Sequence, residues 1–201
     1  MTQKRKPGDA PQGGDDVQVE QLLSEHTATL RAFVRLRSGA MLRSMESTAD
    51  IVQSVCREIL QHRERFRYGD KDGFRQWLYT MAARKISNRV AYYRARKRDG
   101  QRAVPLEGGE DAGDLLECYR SFCTPTGALR TREEVRRIEA AFESLPEHYR
   151  EVITLTRIAG LPPAQVAERM KRSEGSTRML LFRALARLAE LLEEDASSPP
   201  S

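Results

Sequence analysis

Gly160-Leu161-Pro162-Pro163-Ala164-Gln165-Val166-Ala167-Glu168-Arg169-Met170-Lys171-Arg172-Ser173-Glu174-Gly175-Ser176-Thr177-Arg178-Met179-Leu180-Leu181-Phe182-Arg183 is the stretch that decides the fold. Pro162-Pro163 opens a short helix through Met170, because proline fits the first helical turn, where its missing N–H is no loss. After a tight turn a second helix starts near Ser173 and runs to about Glu194, with Thr177, Leu181, Leu185, Leu188 and Leu192 on its buried face. This is the layout of a helix-turn-helix, whose second helix can enter a DNA major groove. An ordinary helical hairpin with solvated arginines has the same outline. With Leu181 inward, at ~100° per residue, Ser176, Met179 and Arg183 point outward and Arg178 and Phe182 lie on the flank. Arg183 can reach guanine edges or phosphates, and Met179 and Phe182 can touch thymine methyls. From Arg169 to Arg187 six bases stand against one acid, and Glu190, Glu193, Glu194 and Asp195 then reverse the sign. Positive field is thereby confined to the end that would meet DNA.

Working upstream, Val135, Ile138, Phe142 and Leu145 keep helical spacing, and Ser144-Leu145-Pro146-Glu147 reads as a capping box that starts the next helix, Glu147 to Ala159. Residues 100–130 form a linker, rich in Gly and Pro, in which Ala103 to Cys118 holds five acids and no base. Before it, Val19 to Met45 reads as a helix interrupted at Gly39. Thr48 to Phe66 forms a second helix, capped by Ser47 or Thr48, with Ile51, Val52, Val55, Ile59 and Leu60 on its apolar side and Asp50, Gln53, Ser54 and Arg57 on the other. Arg67 to Gly73 is a polar loop, and a third helix runs from Phe74 to Arg98. Between Arg84 and Arg102 lie eight bases and one acid, interleaved with Tyr92 and Tyr93. Bases attract phosphate and rings stack on unpaired bases, so this helix suits melted DNA; Trp77 and Tyr79 read as core.

The expected fold is all-α: two small helical domains, residues 19–99 and 131–195, joined by a flexible acidic linker over 100–130, the second a helix-turn-helix four-helix unit. Residues 1–18 and 196–201 read as disordered tails. The longest run without a charge is Ile158 to Ala167, too short to span a bilayer, and no secretory signal opens the chain. A cytoplasmic protein follows, with no membrane partner. His26, His62 and His148 stand apart, Cys56, Cys118 and Cys123 show no metal-ligand spacing, and no nucleophile or phosphate-loop motif occurs. Cys118 and Cys123 read as inert linker thiols. We therefore expect neither enzyme, metal nor cofactor.

The order of motifs resembles the bacterial RNA polymerase sigma factors of the two-domain, extracytoplasmic-function (ECF) group. The resemblance rests on Asp50-Ile51-Val52-Gln53-Ser54, Phe74-Arg75-Gln76-Trp77-Leu78, Leu145-Pro146-Glu147-His148-Tyr149-Arg150-Glu151-Val152 and Gly160-Leu161-Pro162-Pro163-Ala164-Gln165-Val166-Ala167, followed by Ser173-Glu174-Gly175-Ser176-Thr177-Arg178. It implies a dissociable specificity subunit that directs promoter recognition, melting and transcription initiation. Its partners would be core RNA polymerase, promoter DNA and an anti-sigma factor. The first domain would dock on the polymerase clamp through Asp50, Gln53, Ser54 and Arg57. The loop residues Tyr68, Asp70 and Lys71 would capture a flipped base of the element nearest the start site, with Arg84, Lys85, Asn88 and Arg89 on the melted strand. Ser176, Arg178, Met179, Phe182 and Arg183 would read the more distant element. The sequence departs from the family pattern at Ser54 in place of Glu, at Arg84 in place of Asn and at Ser176-Thr177 in place of Thr-Val. The alternative is an autonomous helix-turn-helix regulator that binds DNA as a dimer without polymerase.

Overall fold

Seven turns of regular helix open the structure, a computed structural model that describes residues 12–63, 71–97, 112–125 and 130–197. Among those residues there is helix and turn but no strand. The first helix, α1 (Gln12–Arg43), bends at Gly39, where φ 65 and ψ 166 mark a conformation essentially restricted to glycine. The expected tail through residue 18 is corrected here. Val19, Leu22 and Leu23 are buried, and the helix they anchor extends back to Gln12. Residues 1–11 lie outside the described residues.

α2 (Thr48–Gln61) begins where Ser47, in extended conformation, accepts a hydrogen bond from the Asp50 amide at 3.1 Å, satisfying one of the amides a helix start leaves open. Ile51, Val52, Val55 and Ile59 are buried. The helix closes at Gln61, short of the expected Phe66, with the His62 amide bonded to the Glu58 and Ile59 carbonyls. α3 (Lys71–Lys97) starts earlier than Phe74, so Lys71, expected on the loop, stands in a first helical turn. Asp72 in that turn suits the helix dipole and pairs with Arg75. Phe74, Leu78, Tyr79, Ala82 and Ile86 face the core, and the Tyr79 hydroxyl donates to Thr29 Oγ1 at 2.8 Å. Burial pushes that hydroxyl up to about 12. Helices α1 to α3 make the first unit.

The linker is not flexible throughout. α4 (Ala112–Tyr119) lies inside it, packed on α1 and on the next helix, with Leu115 and Tyr119 buried. Its acids Asp114 and Glu117 face solvent, so acidic composition marks only its outer side. Residues 98–111 lie outside the described residues.

The second unit comprises α5 (Thr131–Glu143), α6 (Glu147–Ile153), α7 (Pro163–Arg169) and α8 (Glu174–Ser197). The expected capping box does not form. Ser144 ends α5, its hydroxyl donates back to the Ala140 carbonyl at 3.1 Å, and Pro146 occupies the cap position of α6. α6 passes into one π-helical turn, Thr154–Ile158, and the chain reverses at Gly160 with φ 60. The buried residues of α8 are Thr177, Leu180, Ala184, Leu188 and Leu192, with Leu181 and Leu185 half-buried. Arg137 of α5 donates to the Leu192 carbonyl at 3.0 Å and pairs with the buried Glu134 at 3.1 Å, tying α5 to α8. The two units touch, for α4, α5 and the π turn all rest against α1.

Candidate nucleic-acid interface

Three surfaces carry the residues singled out by sequence. On α2 the apolar stripe packs inward, so the helical repeat turns Asp50, Gln53 and Arg57 to solvent and leaves Ser54 half-buried. Gln53 and Arg57 line a shallow groove with Cys56, Leu60, Gln61 and Arg63. Leu60, expected on the apolar stripe, is only half-buried and with Cys56 gives this groove its apolar floor. Burial raises the Cys56 thiol, which keeps it protonated.

On α3 the structure divides the expected strand-binding set. Arg84 and Asn88 are exposed on neighbouring turns, and Lys71 is exposed with Glu25 at 3.4 Å. Lys85 is half-buried and pairs with Glu58 of α2 at 2.5 Å, and Arg89 pairs with Glu46 at 3.4 Å. Those two cations tie α3 to its neighbours as well as presenting charge. Tyr68 and Asp70 lie outside the described residues. Further along, Tyr92 is exposed and meets Tyr93 edge-on at 5.2 Å. The Arg96 guanidinium sits 5.4 Å from the Tyr92 ring centroid, a cation–π arrangement. Tyr79, sealed in the core, cannot stack on a base.

The exposed face of α8 is rotated from the expected phase. The buried residues of α8, Thr177, Leu180, Ala184, Leu188 and Leu192, centre about 60° round from Leu180 and short of Leu181, so Met179 and Phe182 straddle the direction away from the core. Phe182 is 68% exposed and Met179 52%. Arg183 lies beside them, with Arg178 and Ser176 on the two flanks, all three exposed. Ser173 caps the helix, accepting from the Ser176 amide at 3.2 Å, and Lys171, at φ 54, makes the tight turn between α7 and α8. Among the described residues neither Arg178 nor Arg183 has an acidic partner. An apolar pair flanked by two arginines at the open end of a helix is a composition suited to base edges and phosphates.

Comparison with known proteins agrees with this geometry. The family description "Sigma-70 region 2" matches residues 22–99 and "Sigma-70, region 4" matches residues 135–188. The ECF RNA polymerase sigma-E factor of Escherichia coli K12 is 31% identical over 136 residues, 67% of this chain and 68% of that one. The chain belongs to the ECF sigma factors. As an ECF sigma factor it directs transcription initiation with RNA polymerase. It is also similar to ECF RNA polymerase sigma factor SigD of Mycobacterium tuberculosis, 28% identical over 177 residues, 88% of this chain and 78% of the relative. The fold resembles that of CnrH in its complex with the cytosolic domain of CnrY, with a TM-score of 0.56 and 23% identity over 92% of this chain and 93% of that one.

The thiols of the linker region are held protonated in this sigma factor. Burial, then Asp114 and Glu117, raises Cys118, and burial pushes Cys123 up to about 12. Thiolate is the reactive form, so neither is primed for oxidation. Among the described residues no helix is long and apolar enough to cross a membrane.

Proposed function

We propose that this sigma factor distributes its task over three faces. Asp50, Gln53, Ser54 and Arg57 dock on the clamp of core polymerase. Lys71, Arg84, Lys85, Asn88 and Arg89, with Tyr68 and Asp70, bind the promoter element nearest the start site. Ser176, Arg178, Met179, Phe182 and Arg183 read the more distant one. The observation that carries the reading is the outward face of α8, where Phe182 and Met179 stand exposed between Arg178 and Arg183, neither of which has an acidic partner among the described residues. Large apolar groups kept in water at the end of a basic helix have a partner in view. The protein acts in the cytoplasm without catalysis of its own, since it contributes binding faces and the polymerase the chemistry. An anti-sigma protein that holds it inactive is part of the proposal, because the similar CnrH was captured with a domain of CnrY.

Run-off transcription with purified core polymerase on a genomic library tests the whole. Promoter-specific transcripts are expected, and Arg183→Ala should cost about 1–3 kcal/mol at one base position if it touches a base edge, or weaken all sites alike and lower the salt slope if it touches phosphate. No association with core polymerase would refute the docking role, and promoter use unchanged by Arg183→Ala would remove that residue from the interface.

A further inference from the structure

Glycine and lysine stand in unexpected places where α7 gives way to α8. Lys171 holds the left-handed backbone position of the turn, at φ 54, where glycine would be favoured. Gly175 stands instead in regular helix, within the first turn of α8, and its φ lies outside the left-handed range, so any residue could adopt its backbone. A Cβ added to it would meet nothing within 4 Å. The helix start is capped by Ser173, which accepts from the Ser176 amide at 3.2 Å. Neither backbone, packing among the described residues nor capping calls for glycine here, and glycine in a helix carries an entropic cost that alanine does not. The position is distinguished by its direction. At ~100° per residue Gly175 lies ~20° round α8 from Phe182 and ~40° from Met179, between the two and turned from the core. With a rise of ~1.5 Å per residue it stands ~6 Å nearer the helix start than Met179. All three are exposed. The outward face of α8 thus begins with a notch and continues with two large apolar side chains.

We infer, on the reading of α8 as the helix that enters the DNA groove, that Gly175 is a specificity-determining residue: a thymine of the distal promoter element packs its methyl against the bare helix backbone there. Recognition helices contact base edges through their N-terminal residues, so this end of the face is the one that meets the base pairs. Glycine is the residue that lets a backbone approach a ligand closely. The thymine methyl is the group that projects from an A·T pair into the major groove, and a notch one side chain deep admits it. Arg178 and Arg183 supply charge, which attracts every sequence through its phosphates; a notch discriminates by shape. It also sets how far Met179 and Phe182 reach, because a side chain at Gly175 would hold the start of α8 off the base pairs.

The test uses the full chain with Gly175→Ala and, separately, Gly175→Gln, each measured alone and with core polymerase. Urea titration of the isolated chain should show Gly175→Ala to be the more stable, by about two- to fivefold in the unfolding equilibrium, the usual gain when alanine replaces glycine at a backbone both can adopt. Competition binding of the holoenzyme to promoter DNA should move the opposite way. Gly175→Ala should lose about fivefold or more, the low end of what an extra methyl costs in a well-packed contact, and Gly175→Gln should lose more. On promoters randomised through the distal element, both variants should lose the preference for thymine at a single position. Uracil at that position should recover part of the loss with Gly175→Ala, so that protein and base changes do not add. A gain in stability with a loss in binding cannot come from damage to the fold. A preference unaltered at every position, whether affinity is kept or falls uniformly, overturns the inference, and so does a Gly175→Ala chain less stable than the parent. Failure of the α8 reading itself gives a different pattern, in which Phe182→Ala and Arg183→Ala leave promoter use unchanged as well.

Discussion

Replacing Phe182 by Ala separates a stability role from a reading role at one residue. Because Phe182 is 68% exposed in the isolated chain, truncation should leave folding almost untouched, within about 0.5 kcal/mol, as for other surface positions. A fully buried aromatic covers about 150–250 Å², so roughly 100–170 Å² of ring remains available to a partner. At about 25 cal/mol per Å², complete burial against a base would contribute at most about 3–4 kcal/mol. Cover by a thymine methyl and its sugar over about half of that area leaves about 1–2 kcal/mol, or roughly tenfold in affinity. The assay pairs a urea titration of the isolated chain with competition binding of the holoenzyme to promoter DNA. Replacing thymine by uracil in the distal element removes the methyl alone. If Phe182 rests on it, protein and base changes will not add. A fall in urea midpoint beyond the stated range, or binding indifferent to Phe182→Ala, would refute the outward assignment of this ring.

Two glycines and one histidine supply further tests. Gly39 and Gly160 both have positive φ, and a Cβ at Gly160 would lie 3.1 Å from Arg75 Nη1 while one at Gly39 meets nothing within 4 Å. Gly39→Ala should therefore cost about 1–3 kcal/mol from backbone alone, and Gly160→Ala about 1–2 kcal/mol, relieved in part by Arg75→Ala; equal costs with and without Arg75 would show that the contact is immaterial. His26, stacked near Phe74 at 6.0 Å, is held below its usual 6.5 chiefly by burial, then by Arg75, against the opposing pull of Glu25. The folded state then binds fewer protons than the unfolded one, so its share of stability is present above 6.5 and is lost as pH falls toward the folded value. His26→Gln should flatten that part of the stability profile measured by urea titration between pH 7.5 and 5, and parallel profiles would contradict it.

Much of the architecture was legible because burial follows period. Ile51, Val52, Val55 and Ile59 could only face one way, and the polar side of α2 was assigned with them. The phase of α8 was not legible. Leu180, Leu181 and Leu185 offer two overlapping stripes, and the small Ala184, fully buried, gives no signal from sequence. Which stripe wins depends on what α5, α6 and α7 bring to it, so Phe182 moved from flank to outward face. α4 was hidden for a related reason: Leu115 and Tyr119 bury nothing until both units are beside them, and the surrounding acids and glycines dominate the composition. Lys85 and Arg89 counted as basic charge in sequence, but their pairing with Glu58 and Glu46 requires helices that are distant in the chain to meet.

The π-helical turn at Thr154–Ile158 has a consequence for which changes of length this region tolerates. Val152, Ile153, Thr154 and Leu155 are all buried, a run that sweeps ~300° of an α-helix and so meets protein on nearly every side. The wider turn then places Ile158 and Ala159 in the core as well, with the Ala159 amide bonded to the Thr154 carbonyl at 2.9 Å. Deleting one residue here would tighten the turn to regular α-helix and swing everything beyond it by ~100°, aiming the chain leaving Gly160 away from the seat of α7. Conservative substitutions in this segment change a few contacts, whereas a single-codon deletion would misalign α7 and α8 together. Length, more than residue identity, is the property that selection should guard between Val152 and Gly160.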